Sequence, residues 1–208
     1  MFMSNNDSAY ITNVRNTLTE LGNIGAGNAS TSLSVLLKSM ISVSPPEVKL
    51  CDFRELENAV GISEEEMAVG VFSTIDGEID AVISFIMPKE DAKNLVGMVL
   101  GDGVEWDSEI GKSAISEISN ILIGSYVASL ENLTNAKVRY TLPEICIDML
   151  GAILSVPYIE FSQISDKSLL LSSEFKVGDY KIDGHIIMIS SPHSFDKLME
   201  RLGVGGVA

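Results

Sequence analysis

Two cysteines, two histidines and one tryptophan are all that 208 residues hold of these types. Each scarcity removes a class of protein. Cys51 and Cys146 cannot build a disulfide framework, and with only His185 and His193 to help they make a poor zinc site. Both cysteines sit in apolar, strand-like runs (48–53 and 145–149), so a buried free thiol is the expectation for each. A histidine-based catalytic triad has as little to draw on. Basic charge is also short: 14 Lys and Arg face 29 Asp and Glu, a formal net charge of −15. Nucleic-acid backbones are bound through Lys and Arg that displace counterions, which argues against a nucleic-acid partner. The acidic excess admits basic protein partners and favours solubility. Long apolar runs are missing too. The longest, residues 81–87, is interrupted by Ser84 and falls far below the roughly 20 residues of a membrane-spanning helix. No charged-then-apolar leader opens the chain. The expectation is a soluble cytosolic protein without a membrane or nucleic-acid partner.

What remains is ordinary globular material, 46% hydrophobic and 21% charged. A chain of this length can bury about 70% of its unfolded surface in one domain. Residues 1–8 are polar and expected to fray. Residues 9–38 carry apolar residues at helical steps, Ile11, Val14, Leu18 and Leu21 followed by Leu33, Leu36 and Leu37, and predict a long helix. Gly22, Gly25 and Gly27 fall in its middle. Each costs about 1 kcal/mol relative to Ala, so either the helix breaks there, or close packing or an approaching partner offsets the loss. Short strands are expected at 40–44 and 48–51, and a short helix at 53–58. Strands at 67–73 and 79–87 are joined by Asp76-Gly77, a hairpin turn signal. Pro88 opens a helix to about residue 100.

After Gly101-Asp102-Gly103 the order repeats. Asp107 or Ser108 caps a helix to about 133, then a strand at 138–142 leads to Pro143. The stretch 145–161 reads as mostly helical, interrupted at Pro157. Strands at 168–175 and 180–189, a helix at 192–202 and a loose glycine-rich tail complete the chain. The correspondence extends to individual residues. Glu20 and Glu117, Asn23 and Asn120, Gly27 and Gly124, and Pro46 and Pro143 are each 97 residues apart. Helix-forming bias can repeat leucines, but it does not repeat an Asn and a Pro in register. The reading is an internal duplication, 9–101 and 107–203, within one domain of 208 residues. Neither half can bury both faces of its own strands. The fold class expected is therefore α+β and sandwich-like: two long helices on one continuous, mainly antiparallel sheet with a pseudo-twofold axis.

The repeated residues form a stripe. Asn16, Glu20, Asn23 and Gly27, and again Ser113, Glu117, Asn120 and Gly124, follow at steps of four, three and four, which share one helix face. A single Glu/Asn pair is most simply a pair of solvated helix residues; two pairs in register, each with a Gly below and a Pro at the same distance, are not. Nothing near either Glu marks it as a general base. Asparagine cannot transfer protons, but its carboxamide accepts a hydrogen bond from water while donating to another oxygen. That suits orienting a water against an already activated phosphoryl group, where a carboxylate would repel the anionic oxygens. Any metal and acid–base groups must then come from the substrate, a phosphorylated protein, with Glu20 or Glu117 docking on one of its lysines.

The pattern of Asp or Ser, three residues, Glu, two residues, Asn, twenty-two residues, Pro resembles the CheC/CheX/FliY phosphatases of bacterial chemotaxis, which hydrolyse the aspartyl phosphate of the response regulator CheY. Ser113, Glu117, Asn120 and Pro143 fit it completely. Glu20, Asn23 and Pro46 also fit, with Asn16 where Asp or Ser is expected. The resemblance covers nearly the whole chain, and two motifs in 208 residues fit its CheC type. It implies that Asn23 and Asn120 orient the hydrolytic water, that Glu20 and Glu117 pair with the regulator's lysine, and that Ser113 contributes to partner binding. It also implies that the chain binds no cofactor and that Mg2+ is supplied by the regulator. A further partner implied is the receptor deamidase CheD, with Asp148 as a candidate contact. A duplicated chain is expected to act as a monomer. The alternative function is a module that captures phosphorylated CheY, or CheD, without turnover. Asp102, Glu105 and Asp107 lack calcium-loop spacing, and Gly22 to Gly27 lacks a dinucleotide fingerprint.

Overall fold

The computed structural model describes residues 5–52, 55–101, 103–161, 167–177 and 180–204. The chain opens with α1 (Asn5–Leu37), then β1 (Ile41–Val43), β2 (Glu47–Asp52), α2 (Leu56–Val60), β3 (Met67–Gly77), β4 (Ala81–Pro88) and α3 (Lys89–Leu100). It continues with α4 (Glu109–Thr134), β5 (Val138–Tyr140), β6 (Glu144–Met149), α5 (Leu150–Phe161), β7 (Lys167–Val177), β8 (Tyr180–Ser190) and α6 (Pro192–Arg201). The order helix, two short strands, helix, hairpin, helix thus occurs twice. The short strands keep the spacing of the stripes, since Ile41 and Val138, and Glu47 and Glu144, are each 97 apart.

The described strands make one antiparallel sheet in the order β1-β7-β8-β4-β3-β5, with β2 also on β7 and β6 also on β3. Read from either edge the order is the same once the halves are exchanged. Central β4 pairs with central β8, Ser84 opposite Ile187, and the pseudo-twofold axis passes between them. The expected α+β fold with a shared sheet is observed. The exchange of the short strands is an addition to it: β1 and β2 seal the hairpin of the second half, while β5 and β6 seal that of the first.

α1, α3, α4 and α6 cover one face of the sheet, over a core that includes Leu18, Phe85, Ile115, Leu122 and Leu198. α2 and α5 cover the other, over Leu56, Ile86, Leu150, Ile153 and Ile187. Strand β4 is buried over seven consecutive residues because helices lie on both of its faces, and side chains alternate between them.

Several boundaries differ from expectation. α1 runs unbroken through its glycines and already includes Asn5; residues 1–4 lie outside the described residues. Helix α2 spans Leu56–Val60, two residues past the expected end at 58; residues 53 and 54, its expected start, lie outside the described residues. Asp76 and Gly77 do not form the turn; they extend β3 and pair with Arg139 and Val138. Gly77 is needed there: its φ is +123°, and a Cβ would lie 2.6 Å from the Lys137 carbonyl oxygen. The stretch 145–161 divides into strand β6 and helix α5, which continues through Pro157. Ile145 and Ile147 pack on one core and Cys146 on the other, so β6 is apolar on both faces and its composition resembles a buried helix. The tail is seated at its start, where the Val204 amide donates to the Met199 carbonyl at 3.0 Å. The glycines at 205 and 206, Asp102 and the side chain of Cys51 lie outside the described residues.

Candidate functional site

The two stripes ride on α1 and α4, which pack antiparallel. Ser129 Oγ of α4 donates to the Leu21 carbonyl of α1 at 3.3 Å. Four residues on, a Cβ at Gly25 would sit 2.6 Å from the ring of buried Tyr126. Further along, Leu33 and Leu37 share a small apolar gap with Ile118 and Leu122. The inward faces of both helices are apolar, Val14, Leu18, Leu21, Ala29 and Leu33 on α1 and Ile115, Ile118, Leu122 and Leu130 on α4. At 100° per residue the stripe positions lie opposite these, which turns both stripes outward from the same helical layer.

Exposure agrees. Asn16, Glu20, Asn23 and Gly27 are exposed; Ser113 and Glu117 are exposed, and Asn120 and Gly124 half-buried. None of the four Glu and Asn side chains makes a hydrogen bond or ion pair with a described residue. Their neighbours are tied down: Thr19 and Thr31 donate to the carbonyls of Arg15 and Gly27, and Ser125 donates to that of Ile121. In each stripe a carboxylate and a carboxamide therefore lie on the outer helix face, unbonded to the described residues, with Cβ atoms about 5–6 Å apart. From the Leu21–Ser129 and Gly25–Tyr126 contacts, Asn23 and Asn120 are offset by about 11 Å along the helix axes, at 1.5 Å per residue. The two pairs are separate positions on the helical layer, not one composite cluster.

The segment after each stripe is anchored alike in both halves. The Ile41 amide donates to Ser34 Oγ at 3.0 Å, and the Val138 amide, 97 residues on, donates to Glu131 Oε1, 97 residues after Ser34, at 3.3 Å. Pro46 and Pro143 end the connectors between the short strands, the first buried and the second half-buried. The halves differ at the glycine. Gly27 has open space where a Cβ would be, whereas the Tyr140 hydroxyl lies 2.6 Å from that position at Gly124. Sequence reasoning read Tyr140 only as a strand residue; the signal it carried was a break in the repeat, since Val43 stands 97 positions earlier.

Asp148 is not brought to either stripe. It is exposed, and by alternation along β6 it points to the α2/α5 side, like Cys146. Its Oδ1 accepts from the Met149 amide at 2.8 Å where the strand gives way to α5. The groups whose titration is displaced also lie elsewhere. Burial, then the Asp148 charge, raises the Cys146 thiol and keeps it protonated; burial lowers His185. His185 lines a groove of about 400 Å³ with Glu47, Glu66 and Asp183, and neither stripe contributes to it. Among the described residues no three His, Cys, Asp or Glu side chains gather as a metal site, and no helix is long and apolar enough to cross a membrane.

Comparison with known proteins follows the same outline. The model of the CheC-like family matches residues 14–50, which hold the first stripe from its Asn16, and that of the chemotaxis phosphatase CheX matches residues 69–161, which hold the second. The CheY-P phosphatase CheC of Bacillus subtilis is 30% identical over 194 residues, covering 89% of this chain and 92% of that protein. Among solved structures, FliY of Thermotoga maritima superposes with a TM-score of 0.70 at 19% identity, covering 98% of each chain. The FliM middle domain of Vibrio alginolyticus does so at 0.63 and 16%, covering 89% of this chain and 99% of that one. At these identities the structures speak for a shared fold only; the sequence match carries the assignment. With 30% identity across nearly the full length of a CheC, this chain belongs to the CheC-type phosphatase family.

Proposed function

We propose that this protein hydrolyses the aspartyl phosphate of a CheY-like response regulator, at two stations built on Glu20 with Asn23 and Glu117 with Asn120. The observation that carries the proposal is the pair of outward Glu/Asn stripes, without side-chain partners among the described residues, on a chain 30% identical to a CheY-P phosphatase. A convex helix face suits a macromolecular substrate; small molecules are held in concave, enclosing pockets.

The chemistry divides between the partners. The regulator brings the phosphoaspartate, a magnesium ion on its phosphoryl oxygens and a lysine. The Glu carboxylate pairs with that lysine and fixes the docked pose. The Asn carboxamide oxygen then accepts a hydrogen bond from a water and holds it in line with the phosphorus. The water oxygen bonds to phosphorus as the bond to the aspartyl oxygen breaks. The aspartate leaves as carboxylate and the water's protons stay with the inorganic phosphate. The carboxamide is neutral, so it approaches the phosphoryl oxygens without the repulsion a carboxylate would meet. Ser113 borders the second station as a partner contact. Asp148, on the far face of the sheet, leaves both stations clear for CheY while a second protein such as CheD binds there. We take the protein to act as a cytoplasmic monomer.

The test follows the acid-labile phosphoryl group on a matched regulator with wild type, Asn23→Ala, Asn120→Ala and the double variant. Faster decay with wild type, reduced in the single variants and abolished in the double, is expected. Complex formation without acceleration would replace the proposal with a capture module.

A further inference from the structure

We infer that Tyr140 is a docking residue of the second station alone, its hydroxyl donating a hydrogen bond to a main-chain carbonyl oxygen of the regulator bound there; the inference rests on the proposed function. The phenolic oxygen lies 2.6 Å, and Cζ 3.4 Å, from where a Cβ on Gly124 would be. Gly124 is the last member of the stripe, one helical turn beyond Asn120. The hydroxyl thus crosses the outer face of α4 at the one stripe position with no side chain of its own. Tyr140 is 39% exposed, and its hydroxyl makes no hydrogen bond to any described residue. A phenol is both donor and acceptor, so this hydroxyl can donate to an oxygen of a partner.

The ring is carried on fixed backbone. Tyr140 pairs with Ile75 in the ladder of β3 and β5. The next residue, Thr141, donates its amide to the Thr74 carbonyl at 3.0 Å and accepts the Thr74 amide on Oγ1 at 3.0 Å. Its carbonyl accepts from Ser73 Oγ at 3.1 Å. Such anchoring holds the hydroxyl in place before a partner arrives, which lowers the ordering cost of docking. The first station has no equivalent: Val43 occupies the repeat-related position and Gly27 faces open space. The two stations are chemically unequal.

One turn separates Gly124 from Asn120, about 6 Å between backbones. At that remove the hydroxyl does not share the attacking water; a neutral phenol beside the station suits a main-chain carbonyl of the docked regulator. Its contribution belongs to binding, and the kinetics should separate it from Asn120. In an Asn23→Ala background, where only the second station works, Tyr140→Phe keeps the ring and removes the hydroxyl. KM for the phosphorylated regulator is expected to rise about fivefold, as for the loss of one neutral hydrogen bond, with kcat changed by less than about twofold. In the Asn120→Ala background the rise is expected to be smaller than about twofold. Gly124→Ala puts a methyl where the hydroxyl lies, displaces it and should raise KM in the same background.

An unchanged KM in the Asn23→Ala background, an equal rise in both backgrounds, or a loss confined to kcat overturns the inference while leaving the proposed function standing. An Asn23→Ala parent that is inactive when wild type is active overturns the inference together with the second station of the proposed function, leaving turnover at the first. Absence of turnover in wild type overturns both.

Discussion

Gly25 and Gly27 stand two residues apart on α1 and are bare for different reasons. At Gly25 the ring of Tyr126 occupies the space a Cβ would need; at Gly27 nothing lies within 4 Å. Gly25→Ala must push a buried aromatic against the core, and is expected to destabilise by about 1–3 kcal/mol, the usual cost of overpacking. Gly27→Ala meets nothing and gains helix propensity, so it should stabilise by about 0.5–1 kcal/mol. Denaturant melts of the two variants check the contrast, and a destabilising Gly27→Ala would contradict it. The sequence left open whether close packing or a partner's approach offsets these glycines, and it is packing at Gly25. The open face at Gly27 is what a docking surface requires. The Glu and Asn positions were legible because they repeat in register. Tyr140 was not, because only one copy has it, and its path over Gly124 depends on a strand register that no local pattern encodes.

At the scale of elements, each long helix does two tasks. Its inner face closes the core, and its C-terminal half grips the short strand that follows. On α1, Ser30 Oγ donates to the Ile41 carbonyl at 2.6 Å, and Ser34 Oγ accepts the Ile41 amide at 3.0 Å; on α4, Glu131 accepts the Val138 amide. Ser34→Ala leaves that amide short of its acceptor and is expected to cost about 1 kcal/mol, with β1 amides exchanging faster than those of β8. Uniform exchange across the sheet would argue against a local clamp. The helices and the hairpin strands announced themselves through period and length. The element β6 did not: with apolar side chains on both faces and a helix immediately after, its run of 145–149 lacks the alternation that separates strand from helix. Asp76-Gly77 misled for the opposite reason. The dipeptide has turn chemistry, but β5 pairs with it and draws it into the sheet.

Over the whole molecule, the exchange of short strands decides what can fold. β1 and β2 are hydrogen-bonded to β7, and β5 and β6 to β3, so cutting the chain near residue 105 strips each hairpin of its outer neighbours and exposes the edge of β4 or β8. Neither fragment is expected to fold as a monomer; mixing the two should restore a cooperative transition. A folded monomeric fragment, seen by sedimentation and circular dichroism, would contradict this. The shared sheet was legible from the duplication, since each half is too small to cover its own strands, but which strands cross over is settled by long-range pairing and left no mark in composition. The arrangement also holds α1 and α4 side by side as one outward layer and keeps the two stations in fixed relation.

The central claim is that a neutral carboxamide steers water while the carboxylate docks the partner. The most direct measurement takes the Asn23→Ala/Asn120→Ala double variant and determines two quantities on the same regulator: Kd for the form activated by beryllofluoride, and kcat for release of phosphate. Expected is a Kd within about threefold of wild type, as for loss of a group that contributes little to ground-state binding, together with a kcat reduced at least about a hundredfold. A kcat that survives the double substitution, or one that falls only in proportion to a weakened complex, would contradict the account.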